Sequence, residues 1–269
     1  MTNFTITPNN AALGAKISGL DLNIAFSKKA KDVIQASLLE HSVLWFPEQS
    51  LSKNNLLRFS ENFGQPVPHP TNYRDQDREV PEITIVSNVV DKGKPLGALG
   101  NAELQFHADL VFLNTPGSVS ILQCIETPEH GGETSWLSLI KAYDALKPEM
   151  INQLRGLKVR YKHNNKAYNP DPLSCHPLLC THPLSQKKFL FFSPGSANAI
   201  QGVGIEESNS LLDTLIQHTI QEKFVWQHQW KKGDVLVWDN RTTLHRRNSF
   251  DSKQRRIMYR TQMLGTLSI

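Results

Sequence analysis

The chain has few of the features that announce a secreted, membrane or nucleic-acid-binding protein. It holds three cysteines in 269 residues, Cys124, Cys175 and Cys180. An odd, low count excludes a disulfide framework and points to a reducing, cytoplasmic setting. The start, MTNFTITPNN, lacks a basic segment followed by an apolar core, so no signal peptide is expected. No apolar run approaches the roughly 20 residues of a membrane helix. Net charge is only +4, which argues against nucleic acid as a partner and suits a cleft for a small anion. Internal repeats and low-complexity linkers are also missing. What remains is ordinary globular composition, 39% hydrophobic and 20% charged, read as a single domain over 1–269 with a small-molecule substrate.

Helix and strand signals mix along the chain. Ser27 caps an expected helix to about His41, with Ala30, Val33, Ile34 and Leu38 on one face. Ser52 caps a second, closed by Gly64. Residues 138–155 read as helix restarted at Pro148, and 205–221 as another. Strands are expected at 42–46, 82–88, 118–126, 188–194, 224–230, 235–240 and 255–264. Helices gather early and short strands late. The fold class is therefore mainly β with flanking helices: an antiparallel, jelly-roll core with helices on one side. Residues 65–106 and 162–180 are rich in Pro, Asn and charge and read as long loops, the first lid-like.

The segment FHADL puts His107 and Asp109 two residues apart in an apolar run. On an extended segment both point to one face, offering a nitrogen and a carboxylate oxygen to one ion. Two histidines and a carboxylate with open positions form the facial set of non-haem Fe(II) oxygenases. Among ten histidines, His245 is best placed to complete it, at the end of the strand in VLVWDNRTTLH. A rival metal set, Cys175, His176, Cys180 and His182, lacks the usual structural zinc spacing. In RRIMYR, Arg256 and Arg260 share a strand face. Two buried cations need an anion. It is either a bound carboxylate, gripped by paired hydrogen bonds, or a protein acid such as Asp239 or Glu133.

Taken together, three segments carry a resemblance: ITPNNAALGAKISGLDL, FHADLVFLNTPGSVSILQCIETPEHGGETSW, and GDVLVWDNRTTLH followed by RRIMYRTQMLG. The sequence resembles the TauD/TfdA family of Fe(II)/2-oxoglutarate-dependent dioxygenases over nearly its whole length. The His245–Arg256 and His107–Thr134 separations are similar to the family's.

The resemblance implies a double-stranded β-helix and a homo-oligomer. It implies Fe(II) as cofactor, held by His107, Asp109 and His245, with 2-oxoglutarate and O2 as co-substrates. Arg256 and Thr134 then hold the distal carboxylate of 2-oxoglutarate, and Trp238 packs beside the metal. Arg260 and His69 match substrate-facing positions. Three positions depart from taurine-using relatives: Phe106 for Trp, Glu103 for Asn, and His163 for an aromatic substrate contact. One reading of Glu103 is that it faces a cationic amine, which suits an acidic or zwitterionic substrate. The implied reaction oxidises an unactivated C–H bond, by hydroxylation or else desaturation or ring closure, with release of succinate and CO2. A zinc hydrolase or a non-catalytic anion-binding jelly roll are the readings outside this class.

Overall fold

The computed structural model describes residues 4–69 and 79–267. Ser27 caps the helix Lys28–His41 by accepting from the Ala30 N–H at 3.2 Å, and Ala30, Ile34 and Leu38 are its buried stripe. Ser52 does the same for Lys53–Ser60. That helix closes at Ser60, one turn before Gly64, whose φ of 141° belongs to the following loop. Pro148 opens Pro148–Leu154 at its first turn, where its missing N–H costs nothing. The helix Ile205–Thr219 matches its expected span.

Two sheets face each other. The larger runs Thr5–Pro8, Ala15–Ser18, Val43–Phe46, Val235–Asp239, Gly117–Glu126, Ile257–Leu264, Thr84–Ser87 and Ala98–Leu99. The smaller runs Val225–His228, Thr134–Ser138, Thr243–Arg247 and Leu104–His107. This is a mainly β, jelly-roll architecture without a closed barrel. Period-two alternation assigns each side chain to a layer. Val235 and Val237 face outward into a core with Ile34, Leu38, Leu56 and Phe59. Leu236 and Trp238 face inward, where they meet Trp136 of the smaller sheet. Leu137 and Leu244 line the smaller sheet's outer face against Leu139, Leu211 and Leu215.

Four expectations change. Helices cover both outer faces, because each sheet has an apolar outer side to bury. The sheet is also not purely antiparallel: Ala15–Ser18 with Val43–Phe46, and Thr84–Ser87 with Ala98–Leu99, pair in parallel. Of the expected 188–194 strand only Lys188–Leu190 forms; Phe191 and Phe192 continue into the core as loop. The lid-like stretch lies partly outside the described residues, and its described part carries short strands. The 162–180 stretch, read as loop, contains the strand Cys175–Pro177.

Candidate active site

His107 and His245 sit directly opposite on neighbouring antiparallel strands. That register sets their ring centroids 4.2 Å apart. The strand Leu104–His107 ends at His107, and Asp109 lies in the turn beyond, with Leu110 at φ 55°. Asp109 thus reaches the histidines because the chain turns, and strand alternation is not what aligns them. His107, Asp109 and His245 offer one donor atom each, all within 4.8 Å of one another. They form the single such group of three among the described residues.

Their protonation suits a cation. The His107 Nδ1 lies 2.8 Å from the Gln105 carbonyl, which can only accept. The proton is therefore on Nδ1, and the Nε2 lone pair is free. Burial, then the neighbouring His107, pushes His245 down to about 3, so its ring is neutral. For Asp109, burial opposes ionisation, but the Arg260 guanidinium, both histidines and the Ser120 hydroxyl hold its carboxyl well below the usual range. Two imidazoles and one carboxylate match the donor set for a divalent metal with open positions.

Residues outside the motif hold the turn. Asn240 accepts from the Asp109 N–H at 2.8 Å and donates to the Asp109 carbonyl at 2.8 Å and the Gly117 carbonyl at 2.9 Å. Ser120 donates to Asp109 Oδ2 at 3.0 Å, and Arg260 to Oδ1 at 3.1 Å. Behind Asn240, Asp239 is buried and accepts from Arg241 and His182. Asn240 and Ser120 lay inside strands read only as core. No local pattern singled them out, since their partners are more than a hundred and eleven residues away respectively.

A narrow recess of about 40 Å³ opens behind the three donors, lined by Thr134, Arg256, Trp238, Arg247 and Leu122. Arg256 is 2% exposed, its Nε has no partner, and no acid pairs with it among the described residues. Burial, then Arg247, lowers it to about 9. Thr134 accepts from the Trp230 indole N–H at 2.8 Å. A hydroxyl whose oxygen is so engaged has its own proton to give. A cation and a free hydroxyl proton lining one recess fit a carboxylate. The alternative partners are otherwise engaged: Asp239 with Arg241 and His182, and Glu133 with Asn248. Trp238 packs its ring 5.0 Å from His245.

A wider cavity of about 330 Å³ opens on the other side of the donors. His69, His163, Lys162 and Arg260 line it, with Val86, Leu104 and Phe112 as apolar wall. The His163 ring rests 4.7 Å from Phe112. Burial, then Arg260, pushes His69 down to about 3, so it stands neutral.

Two expected substrate contacts are not brought here. Phe106 points to the opposite face of its strand, 2% exposed in the core under the Arg246 guanidinium. Glu103 is exposed and does not line the cavity. The zinc alternative also dissolves: His176 bonds the Val111 and Leu113 carbonyls, His182 bonds Asp239, and Cys180 bonds the Pro177 carbonyl.

Residues 4–262 match the model of the taurine catabolism dioxygenase TauD, TfdA family. The chain is 31% identical to the alpha-ketoglutarate-dependent 2,4-dichlorophenoxyacetate dioxygenase of Cupriavidus pinatubonensis, over 96% of each protein. It superposes on a taurine dioxygenase from Burkholderia xenovorans with a TM-score of 0.85 at 28% identity, covering 98% of this chain and 90% of the other. A crystal structure of AAD-2 with Mn(II) and N-oxalylglycine gives 0.84 at 27% identity, covering 98% of both chains.

Proposed function

The chain belongs to the taurine catabolism dioxygenase TauD, TfdA family, and from that premise we propose that His107, Asp109 and His245 hold its iron, that Arg256 and Thr134 hold its co-substrate, and that the wide cavity takes a small organic anion. The protein is an Fe(II)- and 2-oxoglutarate-dependent dioxygenase, with O2 as second co-substrate. When bound, the iron and its co-substrates supply oxidative decarboxylation of 2-oxoglutarate to succinate and CO2, coupled to oxidation of an unactivated C–H bond.

The observation that carries the residue assignment is a juxtaposition. Two of the three metal donors, His107 and His245, and a buried arginine without an acid line one recess, and Asp109 stands beside those donors. A dicarboxylate whose far end meets Arg256 and Thr134 has its other end beside the donors. His107 keeps its Nε2 lone pair inward through the Gln105 bond. Asp109 stays ionised beside Arg260. Trp238 and Leu122 give the recess an apolar wall.

The proposed substrate is acidic. Arg260, Lys162, His69 and His163 line the wide cavity beside the metal donor His107, and the carboxylate there, Asp109, is committed to the metal set. The named substrates of the compared enzymes, 2,4-dichlorophenoxyacetate and taurine, carry a carboxylate and a sulfonate. Because Glu103 lies away from the cavity, the cationic-amine contact is withdrawn. Hydroxylation is the proposed outcome. We read 1–269 as one dioxygenase domain working in the cytoplasm; the three free cysteines support that compartment. A homo-oligomer rests on the family resemblance.

The test is to add Fe(II) and 2-oxoglutarate to the pure protein without oxygen and record the visible spectrum. A weak charge-transfer band is expected. It is lost in His107→Ala and weakened in Arg256→Ala. A wild-type protein without the band overturns the assignment.

A further inference from the structure

Of the three buried arginines that line the recess, Arg247, Arg256 and Arg260, the reaction just described does not use Arg247. Arg247 lies two residues past His245 on strand Thr243–Arg247 and is 4% exposed. It lines the same recess as Arg256 and Thr134. No acid pairs with it among the described residues, and its Nε has no partner. Its Nη2 donates to the Leu99 carbonyl at 2.9 Å and to the Ala102 carbonyl. The guanidinium lies 5.4 Å over the Phe250 ring.

The Leu99 carbonyl belongs to the rim of the wide cavity, where Ala98 and Leu99 form part of the wall, and Ala102 lies three residues further along the same segment. The rim segment is a tight turn. Leu99 and Gly100 have φ of 74° and 39°. A leucine in that region is strained and persists only where contacts outweigh the cost. Arg247 supplies two of these contacts. Phe250 supplies two more, through its N–H to the Asn101 carbonyl at 3.2 Å and its carbonyl to the Asn101 amide at 3.1 Å, and the parallel pairing of Ala98–Leu99 with Thr84–Ser87 holds the segment's start. One side chain thus touches both ends of the site: its guanidinium faces the recess and grips the rim.

Arg260 is paired with Asp109, but the guanidiniums of Arg247 and Arg256 around the same recess repel each other until an anion joins them. A carboxylate entering the recess favours both staying in place, and Arg247 cannot stay in place without its carbonyls. We propose that Arg247 is a positioning residue that ties the rim at Ala98–Ala102 to the co-substrate recess, so that 2-oxoglutarate orders the wall against which the substrate then packs. This rests on the reading that Arg256 and Thr134 hold the distal carboxylate of 2-oxoglutarate.

The test uses the full chain with Mn(II), which does not turn over, and reads backbone amide exchange across residues 96–104 with and without 2-oxoglutarate. In the wild type, 2-oxoglutarate slows exchange there. In Arg247→Met the segment exchanges faster, by on the order of tenfold, and 2-oxoglutarate no longer slows it. Arg247→Lys keeps charge and donors and restores part of the protection. Arg256→Gln weakens 2-oxoglutarate binding and, by removing the repulsion on Arg247, does not speed exchange of the free protein. Wild-type exchange in Arg247→Met, or full protection of it by 2-oxoglutarate, overturns the inference. If Arg256→Gln binds 2-oxoglutarate as tightly as the wild type, the underlying assignment has failed instead. Thermal melts of each variant separate global unfolding from loss of the tie, and the lysine variant carries the test if the methionine variant does not fold.

Discussion

Replacing Asn240 by alanine tests whether a residue that touches no ligand atom sets the metal site. Asn240 is 1% exposed and makes three hydrogen bonds at 2.8, 2.8 and 2.9 Å to the backbone of Asp109 and Gly117. The fit is close. A Cβ added at Gly117 meets the Asn240 amide nitrogen and the Asp109 carbonyl, both at 2.9 Å. Alanine leaves one buried N–H and two buried carbonyls without this partner. Partly relieved by water, that costs about 2–4 kcal/mol. For a chain of this size the melting temperature then falls by roughly 5–12 °C. The turn carrying Asp109 also loosens, and divalent metal affinity falls on the order of 10–100-fold, as for other groups that orient a ligand. Asn240→Asp keeps the shape and the acceptor but turns the donor to Asp109 and Gly117 into a carboxylate facing two carbonyls, so it is at least as damaging. The assay is a thermal melt of the metal-free protein and calorimetric titration with Mn(II). A melting temperature within about 2 °C of wild type, together with Mn(II) affinity within about twofold, refutes the reasoning.

Asp109→Ala removes the carboxylate donor and leaves Arg260 buried without its partner; succinate production from 2-oxoglutarate should vanish, and unchanged production sinks the role of Asp109. Thr134→Val strands the Trp230 N–H and removes the free hydroxyl proton. It should lower stability by about 1–3 kcal/mol and raise KM for 2-oxoglutarate, whereas Thr134→Ser should keep both, which chemical denaturation and steady-state kinetics will show. The metal-free protein should lose stability in acid in two stages. His176 donates its Nε2 proton to two carbonyls, and burial lowers its pKa from 6.5 against those bonds; the unfolded chain then binds more protons as pH falls through 6.5, and stability drops. Asp239 opposes its burial through Arg241 and His182 and is held below 3.8, so its contribution is present above that pH and lost beneath it. Urea midpoints that stay level or rise from pH 7.5 to 5 contradict this.

The linear chain determined the parts that short-range chemistry controls. Ser27, Ser52 and Pro148 mark helix starts because a cap or an N-terminal proline acts within three residues. Alternation in VLVWD separates outward Val235 and Val237 from inward Leu236 and Trp238 because successive strand side chains oppose each other. His107, Asp109, His245, Thr134 and Arg256 were legible because their types and separations resemble a family's. Only the tertiary structure decided how they meet. The cross-strand register of His107 with His245, and the turn that brings Asp109 round, depend on which strands pair. Strand alternation aligned Asp109 in the sequence reading for a reason that does not hold in the fold. The same rule, applied one residue earlier, sends Phe106 into the core and away from the substrate. Asn240, Ser120, Trp230 and Arg247 carried no signal, since each acts through a backbone or side chain of another element. A sequence pattern records which face of its own element a residue occupies; what that face meets is settled by packing between elements far apart in the chain.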